Sequence, residues 1–307
     1  MLILPWMVPG IQNSFDALVA ARKRLERVSP TMFTIDGDFT IQEAHDPNLE
    51  KVREMGLKVF PLVANKGFDA EVAGRLLKTE ESRRKTAEIL TEKVLEGGYP
   101  GLNVDFEGTF GDFRNEYSWF ISVLSEMLHA HGKELSVDVV ALAQDPTPNY
   151  SWGYPFDYRK LGPEVDYLVL MGYDYSHTNS PPGPVSPLFW LEQVVRYATS
   201  IVPREKVVLG LPFYGRHWTT NSRGEHSAGR GVTYEQAMAF ADKWQVEPVL
   251  HEHGCMYLRK EHKDGSVEEI YFENKDTLLK KINLAEGLAG VAFWRLGQED
   301  PRIWEYL

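Results

Sequence analysis

Gly101-Leu102-Asn103-Val104-Asp105-Phe106-Glu107 alternates apolar side chains with an amide and two carboxylates. Side chains alternate along a strand, so Asn103, Asp105 and Glu107 share one face, and Leu102, Val104 and Phe106 the other. Two carboxylates and an amide turned toward the middle of a barrel would make a costly core. One reading is a salt-bridged polar layer, but no cationic partner stands out nearby. The other is an acid at the strand tip, with a supporting carboxylate one pleat below at roughly 6–7 Å.

Seven further apolar runs flank this one: Leu2–Val8, Thr31–Ile35, Leu57–Ala64, Glu134–Ala141, Val165–Tyr173, Lys206–Tyr214 and Gly287–Leu296. Nearly continuous runs of Val, Ile, Leu and Phe suit parallel strands buried on both faces. Helical patterns lie between them. Ser82–Glu96 places Ala87, Leu90 and Val94 on one face and stops at Gly97-Gly98. Asn115–His131 repeats Phe120, Leu124 and Leu128 at helical spacing. Ser14–Val28 and Pro187–Ile201 read in the same way. Eight alternations predict an α/β fold of the closed (β/α)8 TIM barrel type. A doubly wound open sheet would offer a glycine-rich phosphate turn after its first strand, and Pro5-Trp6-Met7-Val8-Pro9-Gly10 is no such turn.

The 307 residues would suggest two domains at ~150 residues each, yet one such barrel routinely takes ~250 or more. We therefore expect residues 1–307 to form one barrel, with 217–274 as an α+β insertion between the seventh strand and its helix. Within it, Thr233–Trp244 reads as a helix. Val249–Leu258 and Val267–Phe272 read as strands joined by the Lys263-Asp264-Gly265-Ser266 turn, and a helix returns over Lys275–Ala285. A structured connection of this length commonly shapes a binding site.

Charge narrows the partners. Lys and Arg number 33 against 44 Asp and Glu, a net charge of −11, which argues against nucleic acid and anionic membranes. No stretch reaches the ~18 apolar residues of a membrane span. The opening Met1–Pro9 reads as a strand and not as a signal peptide. The single cysteine, Cys255, excludes an intrachain disulfide. His251-Glu252-His253-Gly254-Cys255 fits no common zinc spacing, no strand ends in His-x-His, and the last strand lacks glycine-rich phosphate backbone. Neither a metal nor a cofactor is expected. Asp36-Gly37-Asp38 reads as a tight turn, and Lys78–Glu96 as a solvated helix face. Asp138 either lines a site or is a buried, hydrogen-bonded carboxylate.

With these residues in place, the sequence resembles glycoside hydrolase family 18, the chitinase-like barrels. Tyr99–Glu107 matches the core of the family's Asp-Gly-x-x-x-Asp-x-Glu signature, Met171-Gly-Tyr173-Asp174 its sixth-strand motif, Gly210–Arg216 its seventh, and Phe293-Trp294 its last. Asn103, the phrase Gly290–Pro301 and Tyr271–Asn274 are similar to the bacterial spore-cortex-lytic branch. That branch is implied to be N-acetylglucosaminidases of cortex peptidoglycan, often with sugar-binding LysM repeats ahead of the barrel. Such repeats do not appear here.

The resemblance implies substrate-assisted, retaining hydrolysis of β-1,4 bonds after N-acetylglucosamine. Glu107 would donate the proton to the leaving oxygen. Asp105 would accept from the acetamido N–H, and Tyr173 would bond the acetamido oxygen. Asp174 would touch the sugar and Trp294 would lie beneath it; Met171, Tyr214 and Arg216 line the substrate region, with structural roles open for the last two. Asn103, in place of a carboxylate, would donate its amide to an ionised Asp105 and alter the pH profile. The resemblance further implies a monomer acting on a polysaccharide, associated with spore or cell wall. Chitin is the alternative substrate, and a catalytically silent sugar-binding protein the alternative class.

Overall fold

The computed structural model describes residues 1–108, 110–148 and 152–307. Its barrel strands are Leu2–Met7, Arg27–Ile35, Leu62–Asn65, Gly101–Asp105, Glu134–Val140, Tyr167–Met171, Val207–Pro212 and Gly290–Trp294. Each runs parallel to the next, and the last pairs with the first through Leu2 opposite Gly290. Closure leaves the barrel itself without an edge, and the apolar runs are explained by helices outside and packing inside.

The fourth strand shows how the pattern works. Leu102, Val104 and Phe106 are fully buried on the outer side, and Phe106 stacks on Phe120 of the helix Arg114–Ala130 at 5.6 Å. Burying one such phenylalanine is worth about 2–3 kcal/mol. On the inner side, Leu4, Leu62, Val169, Val208 and Ala292 fill the lower barrel as an apolar plug. Asn103, Asp105 and Asp138 are buried polar groups of the same barrel interior.

Several boundaries differ from the sequence reading. The first helix ends at Ala21 and not Val28, because Arg27 and Val28 begin the second strand. Leu57–Ala64 divides into Lys58–Val59 and Leu62–Asn65 around Pro61, whose missing N–H cannot join a ladder. The Asp36–Asp38 turn carries the chain into a short return strand, Ile41–Glu43, on the second barrel strand.

The insertion is a five-stranded antiparallel sheet ordered Arg230–Val232, Gly215–Thr220, Val267–Phe272, Met256–Glu261, Val249–Leu250, with the helix Tyr234–Trp244. Its sheet begins at Gly215, two residues ahead of the expected 217. Val249–Leu258 is two strands, because the chain reverses at His251–Cys255; His251 N–H donates to Cys255 C=O at 2.8 Å and Gly254 takes φ +80°. Val232, Trp244, Leu258, Ile270 and Phe272 give it an apolar core of its own. A fully buried ion pair, Lys281–Glu273, ties it to the helix Lys275–Ile282. No helix among the described residues is long and apolar enough to cross a membrane.

Candidate active site

A cavity of about 760 Å³ opens at the C-terminal ends of the barrel strands, the end at which barrel enzymes place their chemistry. Of the nine residues expected there, eight line it: Asp105, Glu107, Met171, Tyr173, Asp174, Tyr214, Arg216 and Trp294. Asn103 does not. It is fully buried, its Oδ1 accepting from Trp6 Nε1 at 2.9 Å and Ser29 Oγ at 3.1 Å, and its Nδ2 donating to Asp138 Oδ1 at 2.9 Å. The expected donation to Asp105 is therefore corrected. An indole N–H can only donate, which turns Oδ1 toward Trp6 and the amide N–H toward Asp138. Both readings of Asp138 hold at once, since it lines the cavity and is a buried, hydrogen-bonded carboxylate.

Glu107 lies two residues past the end of the fourth strand and is held by its own peptide. Asn65, the last residue of the third strand, accepts from Glu107 N–H at 2.8 Å and donates to Glu107 C=O at 2.9 Å. The chain then turns at Gly108, with φ +118°; a Cβ there would meet the Phe68 carbonyl oxygen at 2.4 Å. Only glycine lets the strand leave the barrel so sharply.

Burial is the dominant electrostatic fact. It pushes the Glu107 carboxyl up to about 9, with the charges of Asp105 and Asp174 adding to the effect. At neutral pH this group is a protonated acid. Asp105 is held well above the usual carboxylate range, first by burial and then by the charge of Asp138. Asp138 is raised by burial and by Glu107, against the lowering by the Asn103 hydrogen bond. Burial, then the two aspartates, likewise raises Tyr173, which stays a phenol able to donate.

Asp174 is differently placed. Its Oδ1 accepts from Tyr214 Oη at 2.6 Å and from Arg216 Nη2 at 2.7 Å. These bonds hold the residue at a left-handed φ of +58°. Tyr214 and Arg216 thus converge on one oxygen of Asp174. Trp294 packs at 5.9 Å from Trp6, its ring bordering the cavity.

The sequence reading missed Trp6, Asn65, Phe68, Trp152, His177 and Gln298. Five of these line the cavity, and Asn65 acts from behind. Trp6 and Asn65 stand at strand ends, where a barrel places functional groups; that signal was available. The others lie outside the barrel strands.

The family model for glycosyl hydrolases family 18 matches residues 31–299. The chain belongs to this family. Against the cortical fragment-lytic enzyme of Bacillus subtilis (strain 168), this family 18 protein is 28% identical over 251 residues, 81% of its own length and 58% of the relative's. The chain thus matches little more than half of that protein. It superposes on the spore cortex-lytic enzyme SleL of Bacillus megaterium QM B1551 with a TM-score of 0.89 at 20% identity, over 99% of this chain and 72% of that one. A chitinase from Chromobacterium violaceum ATCC 12472 gives a TM-score of 0.89 at 26% identity, over 99% and 96%. The (β/α)8 fold, the family and the resemblance to its spore-cortex-lytic branch are borne out.

Proposed function

We propose that the protein is a retaining β-N-acetylglucosaminidase that cleaves β-1,4 bonds after N-acetylglucosamine in spore-cortex peptidoglycan. The observation that carries the mechanism is a carboxyl held protonated at the cavity wall, Glu107; the other carboxyls lining the cavity are Asp105 and Asp138, both buried in the barrel, and Asp174. Asp174 is committed to Tyr214 and Arg216. Asp105 ends the fourth strand, two residues before Glu107. A glycosidase with two independent carboxylates would need both turned to the scissile bond.

Glu107 gives its proton to the leaving glycosidic oxygen and later takes one from water. The attacking atom is the carbonyl oxygen of the substrate's own 2-acetamido group, which closes an oxazolinium ring. Asp105 accepts from the acetamido N–H and offsets the positive charge that develops. Tyr173, a phenol at neutral pH, donates to the acetamido oxygen and aligns it. Trp294 stacks under the sugar ring.

The cortex assignment rests on the relatives named as cortex-lytic and on Asn103 within the motif. Chitin stays the second reading, favoured by the near-complete overlap with the C. violaceum chitinase. Mass spectrometry of digests of purified cortex peptidoglycan and of chitin oligomers, with Glu107→Gln as control, separates the two. New reducing-end N-acetylglucosamine from cortex alone supports the proposal. Release from chitin alone retires the cortex assignment, and no turnover above the Glu107→Gln control on either favours a sugar-binding role.

A further inference from the structure

Asp138 is a buried carboxylate that this mechanism leaves without a task. It is 1% exposed, and among the described residues neither it nor Asp105 makes an ion pair. One oxygen of Asp105, Oδ1, is buried with no hydrogen-bond partner among the described residues. The fourth and fifth strands pair in parallel through Asn103 opposite Ser136 and Val104 opposite Val137, so the next pair in register is Asp105 and Asp138. Paired strands lie about 4.8 Å apart, and both carboxyl groups reach the same cavity.

We infer that Asp138 is a positioning residue that holds one proton in common with Asp105, standing in for the carboxylate that Asn103 does not supply. The reasoning is one of satisfaction and charge. Two buried carboxylates side by side cannot both be ionised without a cation, and two protonated acids would meet a substrate N–H with a neutral carbonyl oxygen only, which does not offset a developing positive charge. One proton between them meets both demands and gives the orphaned oxygen a partner. Asn103 prepares the arrangement. Trp6 and Ser29 fix its amide, whose N–H makes Asp138 Oδ1 an acceptor and leaves Oδ2 for the shared proton.

In the free protein the proton sits on Asp105, because the Asn103 donor favours an ionised Asp138. When an acetamido N–H reaches Asp105, an O–H bond breaks there and one forms on Asp138. The pair carries one proton and one negative charge before and after. The groups bearing on Asp138 are Asn103, Asp105, Glu107, Tyr117 and Tyr173. Neither tyrosine ionises near neutrality, and Glu107 keeps its proton, so Asp105 is the group free to exchange.

The kinetic part of the test rests on the hydrolase proposal; the spectroscopic part does not. Carbon-13 NMR of aspartate-labelled protein follows the carboxyl titrations in the parent, in Asp138→Ala, in Asp138→Asn, and in the double variant Asn103→Asp/Asp138→Ala. The expected result is an Asp105 midpoint lowered by about one pH unit or more in both single variants, and raised again in the double variant. In parallel, kcat on the N-acetylated glycan that the parent cleaves, cortex fragment or chito-oligosaccharide, falls about 100-fold in Asp138→Ala at nearly constant KM, and the double variant returns to within about tenfold of the parent. An Asp105 midpoint indifferent to Asp138, in variants that melt like the parent, overturns the inference. A double variant no more active than Asp138→Ala also overturns it. If the parent cleaves no glycan, the hydrolase proposal fails and the NMR titration still decides the shared proton.

Discussion

The side-chain amide of Asn65 brackets the peptide of Glu107, accepting from its N–H at 2.8 Å and donating to its C=O at 2.9 Å. The acid is thus oriented through its backbone by a neighbouring strand, before any substrate contact. Asn65→Ala removes both bonds at once and leaves a part-buried N–H and C=O without partners. Each orphaned group costs about 1–3 kcal/mol. We expect kcat to fall about tenfold or more with the protein still folded, measured by steady-state kinetics beside a melting curve. Unchanged kcat would show that Gly108 and the strand alone hold the acid.

In the proposed mechanism the proton on Glu107 sets the alkaline limit of activity. Its carboxyl is pushed up to about 9. The kcat/KM profile of the free enzyme should therefore fall above about pH 9, and Glu107→Gln should lose about 10³-fold or more in kcat while retaining glycan binding. A limb near the ordinary value of a glutamate would contradict the burial argument.

The same shift has a stability consequence. The folded-state value of Glu107 lies above its unfolded value, so the folded state binds the extra proton. Stability from this group is complete below about pH 4.5 and is lost as pH rises toward about 9. Glu107→Gln cannot ionise and escapes the loss. At pH 8 it should be more stable by on the order of a few kcal/mol, raising Tm by about 2–4 °C per kcal/mol, with the gain vanishing in acid. Calorimetry at two pH values reads the sign directly.

Asn103→Asp brings a third carboxylate beside Asp138 and removes the amide donor between them. We expect destabilisation of about 2–4 kcal/mol at neutral pH, relieved in acid, together with a shifted pH–rate curve. Denaturant unfolding across pH checks it. An equal stability at all pH values would mean that Asp138 is already neutral when alone.

Lys281 and Glu273 form an ion pair in which both side chains are buried. Removing only the lysine, as in Lys281→Met, leaves an unpaired buried carboxylate and should cost about 3–5 kcal/mol. Lys281→Met with Glu273→Leu should recover most of that loss. Thermal melts of the three proteins test it; equal melting of single and double variants would refute the pairing.

Much of the fold was legible because each barrel strand is buried on both faces, so its apolar run declares it. The fourth strand was legible in greater depth, since Asn103, Asp105 and Glu107 alternate against Leu102, Val104 and Phe106. What escaped the sequence depends on contacts between strands. Asn103 was assigned to Asp105, its neighbour in sequence, whereas barrel closure carries Trp6 and Ser29 to its oxygen and Asp138 to its nitrogen. Asn65 declares itself by its place at a strand end, but its pairing with the peptide of Glu107 depends on the neighbouring strand. Phe68 and Trp152 meet edge to face at 6.4 Å from segments 84 residues apart, and no periodic pattern announces them.

In the proposed mechanism the substrate's acetamido group, and no second protein carboxylate, is the nucleophile. Time-resolved proton NMR of the first sugar released from cortex fragments tests this most directly, run beside the same glycan after de-N-acetylation. Net retention by a double displacement predicts the β-anomer at the earliest times, and no cleavage of the de-N-acetylated glycan. An initial α-anomer, or equal cleavage without the acetyl group, would contradict the account.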